Sequence, residues 1–518
     1  MSIQIIELKE QVTLLELETM MQEIQAKETK QMTFAFTHGG NFHADDIFSI
    51  VLLEKVFNNI VVFRSFTQQP FVCDFSSKLI VFDTGNGKFD HHQKNGNGYH
   101  PLKRSENTLK PIPYAAFGLL WKEFGLKVCA SLTENDPKKA MWLWYELEKN
   151  LVMGIDAVDN SIHPTISPEY EPHNILLIPH FISMLNPAGD NKNFYGATLR
   201  AINLANFIFN AIIKISLLKI NGKKGNSKFV STSTNCEINP EEIFTSALAA
   251  ITITNLHKNI PQKSITNFYY KVQNNKAGQP IPLSSFGEHW KKYGKEYCYS
   301  LYFDFKYPDF IWETFKSNLS LGIDAMANGI TPKSAEGYAT YNILSIYDFI
   351  SSLNLLISSD ASYDFYKEKA TEIATTAIRS LIYKLLTKVR SRPYFNKMLK
   401  ESIASENPNI LVLHRFIHFN DWIIRSKNAK NIFFVISPCN RGGYEIHPVP
   451  CKYNKNGYRK GFPNAWYGLE GDTLKKLTGV STATFVHKDG FIAGAKTLED
   501  AINLSKAAFN HNECEKIC

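Results

Sequence analysis

The first apolar stripe of the chain lies near the amino terminus. Residues 5–27 place Leu14, Leu17, Met21 and Ile24 three or four residues apart, with glutamates between them. This spacing predicts an amphipathic helix with one apolar face. Two interpretations of that face stay open, because two heptads are short for an independent coiled coil. It packs either on the body of the protein or against the helix of a partner.

A different pattern begins at Met32. Short β-branched and aromatic runs, MTFAFT, IVVFRSF and KLIVFD, are separated by polar loops and by one helix-like stretch, IFSIVLLEKVF. This alternation predicts an α/β fold with a mainly parallel sheet flanked by helices. From Ile112 to about Leu218 helical periodicity dominates instead.

Three blocks of the helical region recur at a nearly constant offset. PYAAFGLLWKEFG, from Pro113, matches PLSSFGEHWKKYG, from Pro282. LVMGIDAVDNSI, from Leu151, matches LSLGIDAMANGI, from Leu319, and NILLIPHFISMLNP matches NILSIYDFISSLNL at the same offset as this second pair. The offset of the first pair is longer by a single position. A fixed period of this kind predicts that a helical module has been duplicated.

The last section, residues 431–508, combines strand-like runs with a final helix-like stretch and predicts a small C-terminal α+β domain. The patterns divide the chain into four segments. These are an N-terminal amphipathic helix (1–31), an α/β domain with the first helical module (32–220), a linker with a second copy (221–425) and the terminal domain (426–510).

Composition adds only a few constraints. The chain has 518 residues, 44% of them hydrophobic, and a net charge of +8, which excludes a disordered chain and mildly favours anionic partners such as nucleic acid. No run reaches the roughly 18 uninterrupted apolar residues of a membrane span, and no export signal is visible. We therefore expect no membrane partner and a cytoplasmic location, with an organelle or the nucleus left open. The eight scattered cysteines are expected to be reduced.

The densest chemical signal follows the first predicted strand. His38, His43, Asp45 and Asp46 lie within nine residues, on a loop with two glycines. The carboxyl end of a strand in a parallel sheet opens onto a crevice where ligands bind. A divalent metal would compensate the cost of burying these charges. The alternative is a polar loop in which one aspartate caps the next helix.

A second cluster follows the strand that ends at Phe82. Asp83 is placed to face the same crevice, and Asp90, His91 and His92 come soon afterwards. Adjacent histidines cannot share one face of a strand, so a loop is expected there. One histidine could then bind metal while the other meets a substrate phosphate; the alternative is a surface pair with no role.

The third candidate is Asp156 with Asp159, one helical turn apart and followed by Asn160. Mixed histidine and aspartate ligands without cysteine suit Mn²⁺ or Mg²⁺ better than a soft metal, with Fe²⁺ and Zn²⁺ left open. Two such ions, bridged by a carboxylate such as Asp83, could activate a water and support displacement at phosphorus. The alternative is a pair of helix-end aspartates that face solvent.

The succession of these motifs resembles the DHH phosphoesterase superfamily. His38-x4-His43-x-Asp45, Asp83-x-Gly85, Asp90-His91-His92-Gln93 and Asp156-x-x-Asp159-Asn160 occur in that order. Within it, the chain is similar to the melanocyte proliferating gene family, whose terminal block resembles GYEIHPVP, the Pro463-x-x-Trp466-x-Gly468-Leu469 element and FVHKDGFIAG. The resemblance implies a DHH-type fold and a manganese-dependent exonuclease-like hydrolase, with RNA or short single-stranded nucleic acid as substrate.

The resemblance also implies individual roles. The implied metal ligands, for a two-ion Mn²⁺ centre, are His38, His43, Asp45, Asp83, His91 and Asp156. His92 would meet the scissile phosphate, and the other implied catalytic residues are Asp90, Asp159 and Asp46, the last at a position where the family usually has glutamate. In the terminal domain Arg459, His487, Gly490 and Gly494 would approach the nucleotide. The glycines fit a tight hairpin turn equally well.

The second copy departs from this pattern. It retains Asp324 but has Ala327 where the first copy has Asp159, and only Tyr270–Asn275 aligns, weakly, with the Asp90 motif. We expect one active site, with chain proximity favouring Asp156 over Asp324. The second module is then structural, extends the substrate groove or imitates a subunit interface, and a homo-oligomer is left open.

Two other functions stay open. The first is hydrolysis of a small phosphate compound such as pyrophosphate or a cyclic dinucleotide. The second is a nucleic-acid-binding scaffold that has lost catalysis.

Overall fold

The computed structural model describes most of the chain in two compact units. The described residues are 2–8, 12–65, 79–85, 87–93, 97–102, 104–171, 173–188, 193–220, 237–256, 279–301, 308–439, 442–451 and 457–511. The first unit comprises Met1–His91 with Gly96–Leu386, and the second comprises His92–Asn95 with Thr387–Cys518. Tyr270–Asn275, aligned above with the Asp90 motif, lies outside the described residues.

A four-stranded parallel sheet organises the start of the first unit. Its strands, in spatial order, are β1 (Ser2–Glu7), β3 (Asn59–Ser65), β2 (Thr33–His38) and β4 (Leu79–Val81). This confirms the predicted α/β class with a parallel sheet. The sequence missed β1, because six residues ahead of a strong helical stripe are too few to show an alternation of their own.

Helix α1 (Leu14–Lys27) covers one side of this sheet. Leu17 is fully buried against a cluster that includes Phe34, Phe36 and Phe63, and Thr13 caps the helix together with Glu16. The apolar stripe therefore packs on the body of the protein, which is the first of the two interpretations left open above.

Helices fill the rest of the first half of this unit. Helix α2 (Ala44–Val56) is buried from Ala44 to Leu53. The helices that follow it are α3 (Ala116–Leu132), α4 (Pro137–Leu147), α5 (Met153–Asp159), α6 (Ile178–Met184) and α7 (Phe194–Ile220). Helix α2 packs against α3, α5, α6 and α7. A π-helical turn, Glu148–Val152, joins α4 to α5.

The second half of the unit repeats much of this local structure. Its helices are α8 (Pro240–Leu256), α9 (Ser285–Leu301), α10 (Pro308–Phe315), α11 (Leu321–Ala327), α12 (Ile346–Ser352) and the part of α13 (Asp360–Ile403) up to Leu386. A second π-helical turn, Lys316–Ser320, again joins two helices. The two turns are separated by the same offset as the second and third sequence blocks. The duplication itself stays a prediction, since similar local structure can arise independently.

Helix α7 is long and apolar enough to cross a membrane by length and composition alone. In the structure 56% of its most apolar window is buried, and it packs against α2 and α4. That burial is typical of a core helix.

The second unit is built on a mixed five-stranded sheet. The strands, in spatial order, are β5 (Ile410–Val412), β6 (Phe434–Pro438), β7 (Tyr444–Pro448), β9 (Ala493–Ala495) and β8 (Ala483–Val486). Helices α14 (Asn420–Arg425), α15 (Gly471–Thr478) and α16 (Leu498–Asn510) complete it. This mixed sheet with helices agrees with the predicted terminal α+β class. Cys451 is disulfide-bonded, whereas the sequence predicted reduced cysteines.

The packing of α1 can be tested at Leu17. We expect Leu17→Ala to lower the free energy of unfolding by about 2–4 kcal/mol, because it removes a fully buried side chain. Leu15, 73% exposed on the same helix, is the matched control, and its replacement with Ala should cost under about 0.5 kcal/mol. The measurement is urea unfolding of the full chain. Equal effects of the two changes would contradict the packing of α1 on the sheet.

Candidate metal centre

Strand ends and one helix start bring the first site residues together. Strand β2 ends at His38, and α2 starts at Ala44, so that Asp45 and Asp46 occupy its first turn. Asp83 follows β4 by two residues. Since β2 and β4 are parallel neighbours, their carboxyl ends meet at one edge of the sheet.

Asp83 adopts an uncommon backbone conformation at this edge. Its φ is 53°, in the left-handed region that few residues other than glycine occupy. Its N–H donates to the carbonyl of Phe89 at 3.0 Å, which closes a loop and returns the chain toward the sheet at Asp90 and His91. Such strain persists where the surrounding structure enforces it, often at functional sites.

Asp83 lies between two histidine rings. His38 Nε2 is 3.1 Å from Asp83 Oδ2 and 3.2 Å from Asp46 Oδ2, and His91 Nδ1 is 3.4 Å from Asp83 Oδ1. Burial alone would lower the pKa of His38, but these two carboxylates raise it to about 9. The pKa of His91 is also raised to about 9, against its burial, by Asp159 and Asp83.

Asp159 joins the cluster from the end of α5. Its Oδ2 lies 2.9 Å from His91 Nε2, and its Oδ1 lies 3.9 Å from Nδ1 of the largely exposed His43. His43 directly precedes α2, so this pair links α5 to the start of the helix that carries Asp45. The carboxylate that α5 brings to the sheet edge is therefore that of Asp159.

Asp45 is the most electrostatically demanding member of the cluster. Its side chain is 0% exposed, and among the described residues neither of its oxygens has a hydrogen-bond partner. Burial raises the pKa of Asp45 well above its ordinary value, and the nearby carboxylates of Asp159 and Asp83 raise it further. A buried carboxylate in this setting needs a cation or a proton to offset its charge.

The ligand-type atoms of these residues fall into compact groups. His38, Asp46 and Asp83 form one group, His43, Asp45 and Asp159 a second, and Asp83, Asp90 and His91 belong to a third. Within each group the atoms lie within 4.8 Å of one another. Carboxylate and imidazole donors with an unsatisfied buried aspartate fit a hard or borderline divalent cation.

Asp46 also has a second role, through a residue that the sequence analysis missed. Arg64, fully buried on β3, places Nη1 3.2 Å from Asp46 Oδ2 and Nε 3.2 Å from Glu7 Oε2 on β1. Asp46 Oδ1 accepts the N–H of His43 at 3.1 Å, so Asp46 caps α2 as the alternative interpretation proposed. An arginine within the apolar run IVVFRSF was the available signal of a buried ion pair.

The resemblance implied that Asp156 is a metal ligand. In the structure Asp156 lies outside these three groups. Its Oδ2 accepts from the backbone N–H of Ala115 at 2.9 Å, and its Oδ1 accepts from that of Gly118 at 3.2 Å. Its Oδ2 also lies 2.9 Å from His100 Nε2. Asp156 therefore satisfies free N–H groups at the start of α3.

Asp324 occupies the equivalent place in the second half of the unit. It accepts from the backbone N–H of Ser284, at 3.0 Å, and from the Ser284 hydroxyl at the start of α9. A β-carbon at Gly287 would lie 2.4 Å from Asp324, and one at Gly118 would lie 1.9 Å from Asp156. Each aspartate thus packs against a glycine in the first turn of the helix that it caps.

His100 is a second residue that the sequence analysis missed. The ring is buried between Asp156 and Glu148, with Nδ1 2.7 Å from Glu148 Oε1. Burial alone would lower the pKa of His100, but Asp156 and Glu148 raise it to about 9. A lone histidine in GYHPL offered little signal, because its acidic partners lie far away in sequence.

The remaining predicted residues are distributed as follows. Asp90 is buried beside His91, Asn160 donates to the carbonyls of Asp156 and Pro113, and His92 is exposed and belongs to the second unit.

In the second unit Arg459 donates to the backbone carbonyls of Ile423, Ala429 and Ile432. This arrangement favours a structural role for its guanidinium. The ring of His487 lies 4.2 Å from that of Phe491.

The two glycines of the second unit occupy confined positions. Gly490 has φ +68°, and a β-carbon there would lie 2.2 Å from the Tyr467 ring. A β-carbon at Gly494 would lie 2.5 Å from Thr484 Oγ1. Turn geometry and packing therefore account for both glycines, and their nucleotide contacts stay a prediction.

Comparison with known proteins identifies the family. A family model labelled MYG1_exonuc and described as "Uncharacterised protein family (UPF0160)" matches residues 35–244 and 265–509, most of the chain. The chain belongs to the MYG1 family. It is 25% identical to the MYG1 protein of Saccharomyces cerevisiae over 245 residues, covering 43% of this chain and 72% of that one.

Other relatives match over different lengths. The MYG1 protein of Schizosaccharomyces pombe is 24% identical over 242 residues, 44% of this chain and 74% of that one. The Homo sapiens protein named MYG1 exonuclease is 36% identical over 76 residues, 15% of this chain and 20% of that one. No solved structure matches this MYG1 chain.

The His100 network should make stability depend on pH. The pKa of His100, about 9 when folded, exceeds the value of about 6.5 expected when unfolded. Its stabilising contribution is therefore complete below about pH 6.5 and disappears as the pH rises through about 9. We expect the stability difference between the native chain and His100→Asn to shrink by about 3 kcal/mol from pH 6 to pH 10. Denaturant unfolding at both pH values measures it, and a constant difference would contradict the assignment.

Proposed function

We propose that this MYG1 chain is a metal-dependent phosphoric ester hydrolase whose cations bind at the edge of the parallel sheet. The carboxylate of Asp45 carries the proposal. It is fully buried, its oxygens have no hydrogen-bond partner among the described residues, and Asp159 and Asp83 repel it. A divalent cation would convert this repulsion into attraction.

Two ions are the stoichiometry that the grouping favours. Asp83 belongs to the group with His38 and also to the group with His91, so its carboxylate would contribute ligand atoms to both ions. Asp45, His43 and Asp159 would complete the set, with Asp159 in place of Asp156. The oxygen and nitrogen donors suit Mn²⁺, with Mg²⁺ as the other candidate.

The family relatives support a nuclease. The human relative is named an exonuclease, and the motif order resembles DHH phosphoesterases. The net charge of +8 is compatible with a nucleic-acid substrate. We therefore propose an exonuclease-like activity on RNA or short single strands, with 3′-to-5′ polarity.

Each residue has a distinct part in the proposed reaction. When bound, the ions would activate water and stabilise charge on the phosphate. Arg64 holds the carboxylate of Asp46 in place, and Asp46 in turn orients His38. His43, whose side chain is 59% exposed, lies on the open side of the cluster, and the resemblance assigns the scissile phosphate to His92.

Measurements of Mn²⁺ affinity can distinguish the proposed role of Asp159 from that of Asp156. We expect Asp45→Asn and Asp159→Asn each to weaken Mn²⁺ binding by more than the roughly 10- to 100-fold that is typical for loss of an outer partner. Asp156→Asn should weaken it less and should lower stability, because that carboxylate caps α3. Calorimetric Mn²⁺ titration together with unfolding curves measures both effects.

Asp324→Asn is the matched control for this series. It removes the equivalent cap in the second half of the unit and should leave Mn²⁺ affinity unchanged. The ligand assignment fails if Asp156→Asn abolishes binding while Asp159→Asn retains it. Fewer than one bound ion per chain at saturation would instead favour the scaffold that has lost catalysis.

Substrate class needs a separate assay. We expect the Mn²⁺-loaded chain to shorten 5′-labelled single-stranded RNA progressively from its 3′ end, and Asp45→Asn to abolish the ladder of products. Pyrophosphate and a cyclic dinucleotide are tested in parallel under the same conditions. Hydrolysis of one of those compounds without any RNA shortening would replace the exonuclease proposal with the small-phosphate alternative.

A further inference from the structure

The two halves of the first unit contact each other through equivalent positions. We call residues 110–187 the first module and residues 279–355 the second module. Residues separated by the offset of the repeated blocks occupy matching places in them, as the blocks around Pro113 and Pro282 show. The contacts between the modules can therefore be compared position by position.

Two contacts join a position to its own equivalent. Thr165 and Lys333 are equivalent positions, and they form an antiparallel bridge in which each N–H donates to the other's carbonyl, at 2.8 and 2.9 Å. Leu177 and Ser345, a second pair of equivalents, form another antiparallel bridge. A residue meets its own equivalent only where a two-fold axis passes.

Away from these positions, the contacts occur in reciprocal pairs. Asn174 Nδ2 donates to Asn318 Oδ1 at 2.8 Å, and the equivalent Asn342 donates to Asn150. The backbone N–H of Asn174 donates to Ser317, and that of Asn342 donates to Lys149. These contacts of the first module on the second are therefore returned by the second on the first.

The outer edges of the interface show the same reciprocity. Lys110 exchanges backbone hydrogen bonds with Gly337 and Ala339, each at 2.8 Å. The equivalent Gln279 exchanges them with Glu169 and Glu171, at 2.6 and 2.8 Å. The modules thus share four reciprocal backbone bonds at their two edges.

Close packing follows the same rule. A β-carbon at Gly154 would lie 2.8 Å from the carbonyl oxygen of Asn342, and one at the equivalent Gly322 would lie 2.2 Å from that of Asn174. Apolar side chains behave likewise, since Tyr338 packs against the cluster that contains Ile112 of the first module, and the equivalent Tyr170 packs against the cluster that contains Ile281 of the second. This pattern is that of an isologous interface between identical subunits.

We propose that the second module takes the place of a second subunit and fills, within the same chain, a self-complementary face of the first module. Independent elements that pack by chance have no reason to use equivalent positions on both sides. This assignment selects subunit imitation from the three roles left open by the sequence. It does not depend on the proposed hydrolase activity.

The length of the relatives is consistent with an inserted copy. Since an alignment of 245 positions covers 72% of the Saccharomyces cerevisiae protein, that protein has at most roughly 340 residues, about 180 fewer than the 518 of this chain. The difference is close to the spacing between the two copies of each repeated block. A chain with one module would need a second chain to cover the same face.

Engineered cysteines on the axis test the proposal in the full chain. Thr165 and Lys333 are exposed and form a hydrogen-bonded antiparallel pair, in which α-carbons lie about 5.5 Å apart, within the range of a disulfide. We expect T165C/K333C, after mild oxidation, to give a disulfide within one chain. Non-reducing electrophoresis should show a reducible mobility shift at monomer mass, and peptide mass spectrometry should identify the 165–333 link.

The single variant T165C separates the proposed arrangement from a true homodimer. If the second module fills the face, position 165 meets Lys333 and T165C alone forms no covalent dimer. If the face instead pairs two chains, position 165 meets itself across the axis and T165C gives a reducible dimer, which overturns the proposal. Absence of the 165–333 link in folded T165C/K333C, with folding checked by circular dichroism, also overturns it. The unmodified chain controls for its own eight cysteines.

Discussion

Repulsion among buried carboxylates is the constraint on which the candidate site depends. Asp45 lies in the first turn of α2 with no exposed surface, and Asp83 and Asp159 approach it from a strand end and a helix end. Bringing these groups together costs free energy that hydrophobic burial elsewhere must offset. Two histidines whose pKa values are raised to about 9, His38 and His91, share part of that charge, and the proposed cations would offset the rest.

The neighbouring aspartates of α5 illustrate how a single helical turn separates two tasks. Asp156 points toward the start of α3 and caps it, while Asp159, one turn later, reaches His91 and His43. The second half of the unit keeps the capping aspartate, Asp324, but has Ala327 in place of Asp159. Helix capping is needed wherever the module folds, whereas a carboxylate in the place of Asp159 has buried histidines to meet only at the sheet edge.

The two modules share their packing contacts but not the residues of the candidate site. Glycines at 154 and 322 let each module approach a backbone carbonyl of the other, and asparagines at 174 and 342 bond across the interface in equivalent ways. These reciprocal contacts make the packing between the two modules close to two-fold symmetric. The aspartate and histidine side chains of the candidate site all come from residues 38–159, which precede the second module in the chain.

Sequence alone determined the α/β class, the strands near MTFAFT, IVVFRSF and KLIVFD, and the residue types of the candidate site, because hydrophobic periodicity and local motifs are written within short windows. It missed β1, since its pairing with β3 comes from outside the window. Only the tertiary structure assigned Asp159 rather than Asp156 to the cluster and revealed Arg64 and His100. Their roles arise from side chains that meet across long stretches of chain, and a local pattern carries no information about which of two aspartates one turn apart will face the strand ends.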